Sequence, residues 1–481
     1  MSKKTKRSIS TFAILLAVLL LVSIATWIAA GKTYTGEDGE IAEVVGATSS
    51  DIFMAPVNGW ADAADVITFV FCLGAFLAIV NATGALETGI HTLVRRLHGK
   101  ELALIWILMF VFSIGGTTYG MGEETVGFYI LLAATMMAAG FDPIVGAATV
   151  LLGAVTGVLG STINPFATGA AVAAATSVGV EVNMGTTYVI GIILWLVSYL
   201  LSVLFVTAYA KKVRANKGSI LTAAQLDECQ KAYGGKDVTT AKLTGRQKAV
   251  LWLFALSFVV MILGFIPWGS LSETMYNAFS SSTTWLTGAC LGDWWFYDAA
   301  TWFLLMGIII GIVGLEDKGQ LMKLIANGFG DMVSVNLVIA MARATSVIMA
   351  ATGLGTWLVE ASVTALSQSG VSAGVFGLLD YILHVGLIFL VPSSSGLAGL
   401  SAPIVSPIVA GMGWSVETSI MINVAANGFV NLFTPTCGFI MGGLALARVP
   451  YESWLKWAWK LLVALFVVVG VVLTIAMAVL S

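Results

Sequence analysis

Runs of about twenty apolar residues recur along this chain, from Thr11–Ala30 near one end to Leu461–Leu480 at the other. A run of that length crosses the ~30 Å hydrocarbon core of a bilayer as a helix. Lipid offers the backbone no hydrogen-bonding partner, so each crossing segment has to satisfy its own N–H and C=O groups. The composition agrees. Only 10% of residues are charged and 58% are hydrophobic, with a mean hydropathy of +0.95; a soluble domain carries ~25% charge. The fold class expected is an all-α polytopic membrane protein.

Charge placement orders the spans. Lys3, Lys4, Lys6 and Arg7 precede Thr11–Ala30, which reads as a retained first span with a cytoplasmic N-terminus. An acidic loop (Glu37, Asp38, Glu40, Glu43, Asp51) is expected outside. Val66–Val80 returns inward to Arg95, Arg96 and Lys100. Tyr188–Tyr209 is a long span that ends at Lys211, Lys212, Arg214 and Lys217. Residues 211–248 read as a solvated cytoplasmic linker between a first half, 1–210, and a second half, 249–481. The second half holds Val250–Ile266, an aromatic loop from Trp268 to Tyr297 and the span Ala299–Val313. In that loop Trp294, Trp295 and Phe296 read as an interfacial belt. Arg448, Lys456 and Lys460 place the last span outward-going. Four scattered Cys without a CxxC pair and three scattered His suggest neither a disulfide framework nor a metal centre.

Polar breaks interrupt the apolar pattern. Gly115–Glu124 reads Gly-Gly-Thr-Thr-Tyr-Gly-Met-Gly-Glu-Glu, and Gly160–Pro165 reads Gly-Ser-Thr-Ile-Asn-Pro. The segment from Gly116 to Ala139 is too short for two spans. A re-entrant hairpin over about 116–140 fits, followed by a helix unwound at 161–165. The second half repeats this grammar: Pro392-Ser393-Ser394-Ser395-Gly396, a hairpin over about 392–412, and a break at 434–438. From turn Gly to break Pro is 25 residues in one half (Gly140 to Pro165) and 22 in the other (Gly413 to Pro435). Paired interrupted segments in two halves point to a midplane site in a transporter. Asp65, Thr68 and Gly74 match Asp298, Thr301 and Gly307 as if the halves were parallel, but the charge order favours inverted hairpins. Leu337–Ser369 has no evident counterpart in the first half.

Three motifs carry a resemblance over nearly the whole chain. Thr117–Thr125 with Phe128-Tyr129, Ser161–Gly169 and Val391–Gly396 are similar to the YfcC branch of the DcuC-like anaerobic carriers, in the ion transporter superfamily. The resemblance implies two repeats, each with a hairpin and an unwound helix meeting at the substrate, elevator-type motion and a homodimer in a bacterial cytoplasmic membrane. It implies two substrate classes, C4-dicarboxylates and basic amino acids exchanged as arginine for ornithine. By position it implies binding elements at Thr117–Glu124, Ser161–Pro165, Ser393–Gly399 and Asn431–Thr436. Leu397 departs from the polar residue expected there.

The candidate substrate residues are Thr117, Thr118, Gly120, Glu123, Glu124, Ser161, Asn164, Ser393, Ser394, Ser395, Gly396, Asn431, Thr434 and Thr436. Half-helix starts expose N–H groups that favour carboxylates, and unwound carbonyls favour cations. Glu123 and Glu124 repel a dicarboxylate and attract a guanidinium, which favours arginine. Sodium is expected at Asn164 and Thr434, or protons at Glu123 or Glu124; exchange needs neither. Arg343 and Glu360 read as an intramembrane pair; an Arg343 turned to the site would instead favour the dicarboxylate. Asn423, Asn427 and Asn431 share one helix face, with Asn431 nearest the site. His384 reads as a hydrogen-bonded histidine or a proton relay. No GxxxxGK[ST], HExxH or Ser-His-Asp order occurs, so a pump, an enzyme and a nucleic-acid role are not expected. A channel would show one filter repeated across subunits rather than two different half-sites in one chain.

Overall fold

The computed structural model describes residues 11–36, 40–96, 100–215, 218–233 and 243–481. Lys3, Lys4, Lys6, Arg7, Glu37, Asp38 and Lys217 lie outside the described residues. The elements run α1 Thr11–Ala29, β1 Thr33–Thr35, β2 Ile41–Glu43, α2 Ser49–Asp62, α3 Ala64–Ala82, α4 Ala85–Arg96, α5 Glu101–Tyr119, α6 Val126–Ala138, α7 Pro143–Leu159, α8 Ala170–Ser177, α9 Met184–Arg214, α10 Ala223–Tyr233 and α11 Gly245–Phe265. They continue with α12 Trp268–Leu271, α13 Glu273–Ser282, α14 Phe296–Gly314, α15 Leu321–Thr352, α16 Leu354–Gln368, α17 Ala373–Leu390, α18 Ser394–Gly411, α19 Val416–Val430, α20 Gly438–Leu446 and α21 Tyr451–Leu480. Among the described residues ten helices are long and apolar enough to cross a membrane.

Two helices form the innermost core. Every residue of α7 is buried, and so is every residue of α19 except Glu417. Asp142 caps α7, its Oδ1 accepting from Val145 N at 3.1 Å, and Pro143 follows where a missing N–H costs nothing. The second carboxylate oxygen of Asp142 accepts from the Tyr209 and Ser219 hydroxyls, both at 2.5 Å. The broken ends of α7 and α19 meet, and a Cβ on Gly428 would lie 2.2 Å from Leu159 Cα. Both α5 and α6 pack on α7; both α17 and α18 pack on α19. Further, α9 covers α5 and α7, while α21 covers α17 and α19. The continuation of each broken helix lies against the opposite hairpin, α8 on α18 and α20 on α6.

A second group of helices frames this assembly. α2 and α3 run antiparallel along α15, with Gly59 against the Ala340 carbonyl and Gly74 against that of Gly328. α14 packs on α3, and α11 on α14. Phe69, Phe76, Phe254, Phe258 and Phe303 interlock there at centroid distances of 5.0–6.1 Å.

Several expected boundaries move. α5 (Glu101–Tyr119) runs through 116 and the chain turns at 120–125 before α6; α17 ends at Leu390 and the chain turns at 391–393 before α18. The polar motifs therefore lie at the turns between these helices. Leu337–Ala350 is the end of the 32-residue α15. The chain then reverses at Gly353, which has φ +70. α16 follows and lies on α18, as α4 lies on α6. The linker includes α10, with α9 reaching Arg214 and α11 starting at Gly245; Asp237 lies outside the described residues. The chain is also not wholly helical: β1 and β2 pair antiparallel. All four Cys are free and buried.

Candidate functional site

The first tip forms where α5 stops. Gly120 takes φ +76, and its N–H and that of Met121 return to the Gly116 and Gly115 carbonyls, a left-handed cap that a side chain would strain. A short 3₁₀ turn then carries Glu123 and Glu124. Glu124 is 3% exposed and its Oε2 accepts from Gly122 N at 3.0 Å. Asn164 holds the first break: its Oδ1 accepts from Phe166 N and its Nδ2 donates to Ser161 Oγ, both at 2.9 Å. Thr117 sews tip to break, Oγ1 donating to Gly160 O at 2.7 Å while its own carbonyl accepts from Thr162 N at 2.8 Å.

The second tip and break mirror this chemistry without acids. Ser393 caps α18, its Oγ accepting from Gly396 N at 3.1 Å. In the second break Asn431 Nδ2 donates to Asn427 Oδ1 at 3.1 Å, and the Thr434 and Thr436 hydroxyls share a 2.7 Å hydrogen bond. The Leu432 and Phe433 carbonyls already accept from Trp454 Nε1 and the Tyr451 hydroxyl. α20 starts at Gly438 with no side-chain cap, leaving its first N–H groups for another acceptor.

Both tips and both breaks converge on one cavity of about 140 Å³, roughly tenfold what a single water needs. Its wall includes Gly120, Glu123, Glu124, Asn164, Ser393, Ser394, Ser395, Asn427, Asn431, Thr436 and Gly438. The frame contributes Asp65, Trp295, Phe296 and Arg343. Asn427 Nδ2 and Asn431 Oδ1 are buried there with no hydrogen-bond partner. Buried amides left open at a cavity mark a place for a polar ligand.

The DcuC family profile, described as C4-dicarboxylate anaerobic carrier, matches residues 9–478. The chain belongs to the DcuC family. Among the relatives of this DcuC-family transporter is an uncharacterized protein of Haemophilus influenzae, 29% identical over 88% of this chain and 78% of that one. Another is the "Putative basic amino acid antiporter YfcC" of Escherichia coli K12, 26% identical over 85% of this chain and 77% of that one. Solved structures of similar shape are the YdaH transporter of Alcanivorax borkumensis (TM-score 0.49, 17% identity, covering 97% of this chain and 98% of that one) and Neisseria gonorrhoeae MtrF (TM-score 0.48, 14% identity, 99% and 96%).

Not every expected site residue reaches the cavity of this DcuC-family chain. Thr117 and Ser161 are buried behind it as struts, Ser161 Oγ donating to Val158 O at 2.7 Å. Thr118 spends its hydroxyl on Ile114 O at 2.7 Å. Gly396 and Thr434 are not on the wall, whereas Asn164, the other residue expected near an ion, is. Arg343 does not pair with Glu360. α15 runs beside α2, so Arg343 Nε lies 3.4 Å from Asp62 Oδ2. After the Gly353 reversal α16 carries Glu360 to β1, where it accepts from Thr35 N and Oγ1 at 2.8 and 3.0 Å.

Trp295 and Phe296 are no interfacial belt. Trp295 Nε1 donates to Asp65 Oδ2 at 2.6 Å, and its ring packs on Phe166 at 4.7 Å. Trp294 is buried. The sequence reading missed Asp65, Trp295, Phe296 and Asn427 as wall residues. Only Asp65, a carboxylate opening an apolar helix, carried a signal.

Proposed function

We propose that this chain is a secondary transporter of basic amino acids, exchanging arginine for ornithine across a bacterial cytoplasmic membrane. The observation that carries this reading is the charge on the cavity wall. Asp65, Glu123 and Glu124 face one cation, Arg343, which Asp62 already accompanies. A guanidinium or ammonium is drawn to such a wall, and a dicarboxylate is repelled. The uncapped first turn of α20 suits the α-carboxylate, and the unpartnered amides of Asn427 and Asn431 suit its neighbours. The name of the Escherichia coli relative agrees.

The matching contacts of α5–α9 and α17–α21 support a repeat, and the order of basic residues along the spans supports its inversion and a cytoplasmic N-terminus. Hairpins and broken helices would form the moving unit, and α2, α3, α14 and α15 the frame. Because the wall draws on both, an elevator-type displacement would take the substrate with the hairpins and leave Asp65, Trp295 and Arg343 behind. The second reading, a dicarboxylate carrier, rests on Arg343 standing on the wall and on the family's description. Vesicles loaded with ornithine or with succinate, offered labelled arginine or labelled succinate, decide between them. Arginine counterflow is expected; succinate counterflow without arginine counterflow refutes the reading.

A further inference from the structure

Away from the cavity, the second hairpin encloses an acid–base pair in its own core. Asp380 and His384, one turn apart on α17, are 0% and 1% exposed. His384 Nδ1 lies 2.9 Å from Asp380 Oδ1 and 3.0 Å from Asp380 O. His384 Nε2 is hydrogen-bonded at 2.7 Å to Ser401 Oγ on α18, itself 1% exposed. The group therefore ties the two arms together. It sits about 10 Å behind the serine tip, at a 1.5 Å rise per residue. The Asp380 carboxylate has no hydrogen-bond donor beyond this histidine among the described residues.

Among the described residues no other charge is at hand. The helices that pack most on α17 are α16, α18, α19 and α21. α18 has no ionisable side chain. On α19 the one such residue is Glu417, bound at the far end to Asn183 N and Ser415. On α16 it is Glu360, held by Thr35. α21 carries Tyr451, Glu452, Lys456 and Lys460 in its first ten residues, whereas Gly470–Ala478 is the part against Gly374–Tyr381. Tyr451 is spent on Phe433 O. Tyr381 on α17 itself faces Phe429 and Phe466.

A lone carboxylate in such surroundings is heavily penalised. The pair is electrically neutral only with one proton on it, either on the carboxyl or as imidazolium facing carboxylate. Closing the hairpin dry thus requires one proton. Opening it to water removes the penalty on the ionised, proton-free pair.

We propose that Asp380, His384 and Ser401 form a proton-binding site whose occupancy is linked to burial of the second hairpin, making the proton the coupling ion of this transporter. This rests on the transport reading above but not on which substrate is carried.

The full-length protein in vesicles with a pH-sensitive dye inside tests it, using whichever of arginine or succinate shows counterflow. Wild type should accumulate substrate against its gradient when a pH gradient is imposed. Its half-saturation should change up to ~10-fold per pH unit where the one proton binds. The double variant Asp380→Asn with His384→Gln keeps side-chain amides in place of both groups and leaves neither to titrate. It should keep counterflow, lose gradient-driven accumulation and show a flat pH profile. Ser401→Ala keeps the titrating pair and should retain accumulation with a displaced pH midpoint. Wild-type transport without proton movement overturns the proposal, as does wild-type accumulation in the double variant. Should that variant not fold, an unmoved midpoint in Ser401→Ala overturns it. Absence of all counterflow in wild type refutes the transport reading instead.

Discussion

Gly120 and Gly140 share a backbone conformation but not a neighbourhood, and the contrast isolates the contact between the first tip and the first break. Both are left-handed, at φ +76 and +83. An alanine there costs about 1 kcal/mol of strain. At Gly140 a Cβ would meet nothing within 4 Å, whereas at Gly120 it would lie 2.7 Å from Asn164 Nδ2 and 2.8 Å from Oδ1. Asn164 cannot swing aside without giving up its bonds to Ser161 and Phe166. At about 1 kcal/mol each, the added cost is about 2 kcal/mol. It falls on two pieces of the cavity wall, so it should appear in substrate binding as a ~30-fold rise in half-saturation. Gly140→Ala should lower thermal stability slightly and leave half-saturation within ~2-fold. The assay is initial-rate counterflow in vesicles, with Tm measured on the same preparations. If Gly120→Ala matches Gly140→Ala in half-saturation, the tip–break contact does not shape the site.

Glu124→Gln keeps an oxygen for the Gly122 N–H, so the tip should fold while arginine exchange falls at least ~30-fold, the scale expected when a buried charge partner is lost; exchange at half the wild-type rate would contradict the carboxylate argument. Arg343→Ala breaks a partly exposed pair of small energetic value, so Tm should hold and arginine exchange should survive within ~10-fold. Loss of all transport in that variant supports the dicarboxylate reading. Trp295→Ala removes both the indole donor to Asp65 and the ring on Phe166, with ~10-fold weaker arginine half-saturation expected from the lost aromatic contact; Trp295→Phe should fall between that variant and wild type, and equality of all three would remove Trp295 from the site.

Much of this architecture is written locally. A helix in lipid must satisfy its own backbone, so each span announces itself as an apolar run. A hairpin tip or break announces itself as Gly, Ser, Thr, Asn and Pro where lipid would exclude them. The stretches around Gly115–Glu124, Gly160–Pro165, Pro392–Gly396 and Asn431–Gly438 were therefore legible, and they do meet at one cavity. Boundaries were less so, because an apolar hairpin arm such as α5 or α17 has the composition of a crossing helix.

Tertiary packing decided which side chains face that cavity. Trp295 and Asp65 are 230 residues apart in the chain, and nothing local to either names the other. Arg343 met Asp62 rather than Glu360 because small residues let α15 lie against α2 while Gly353 turned α16 away. Thr118 and Thr434 have the chemistry of the site, but their hydroxyls are spent on Ile114 O and Thr436. The sequence by itself therefore determined a membrane-spanning chain with two polar, broken half-sites, since those follow from how each segment meets lipid. Only the tertiary structure placed Asp65, Trp295, Phe296 and Arg343 on the wall, because a side chain's facing depends on the rotation and crossing of helices distant in sequence.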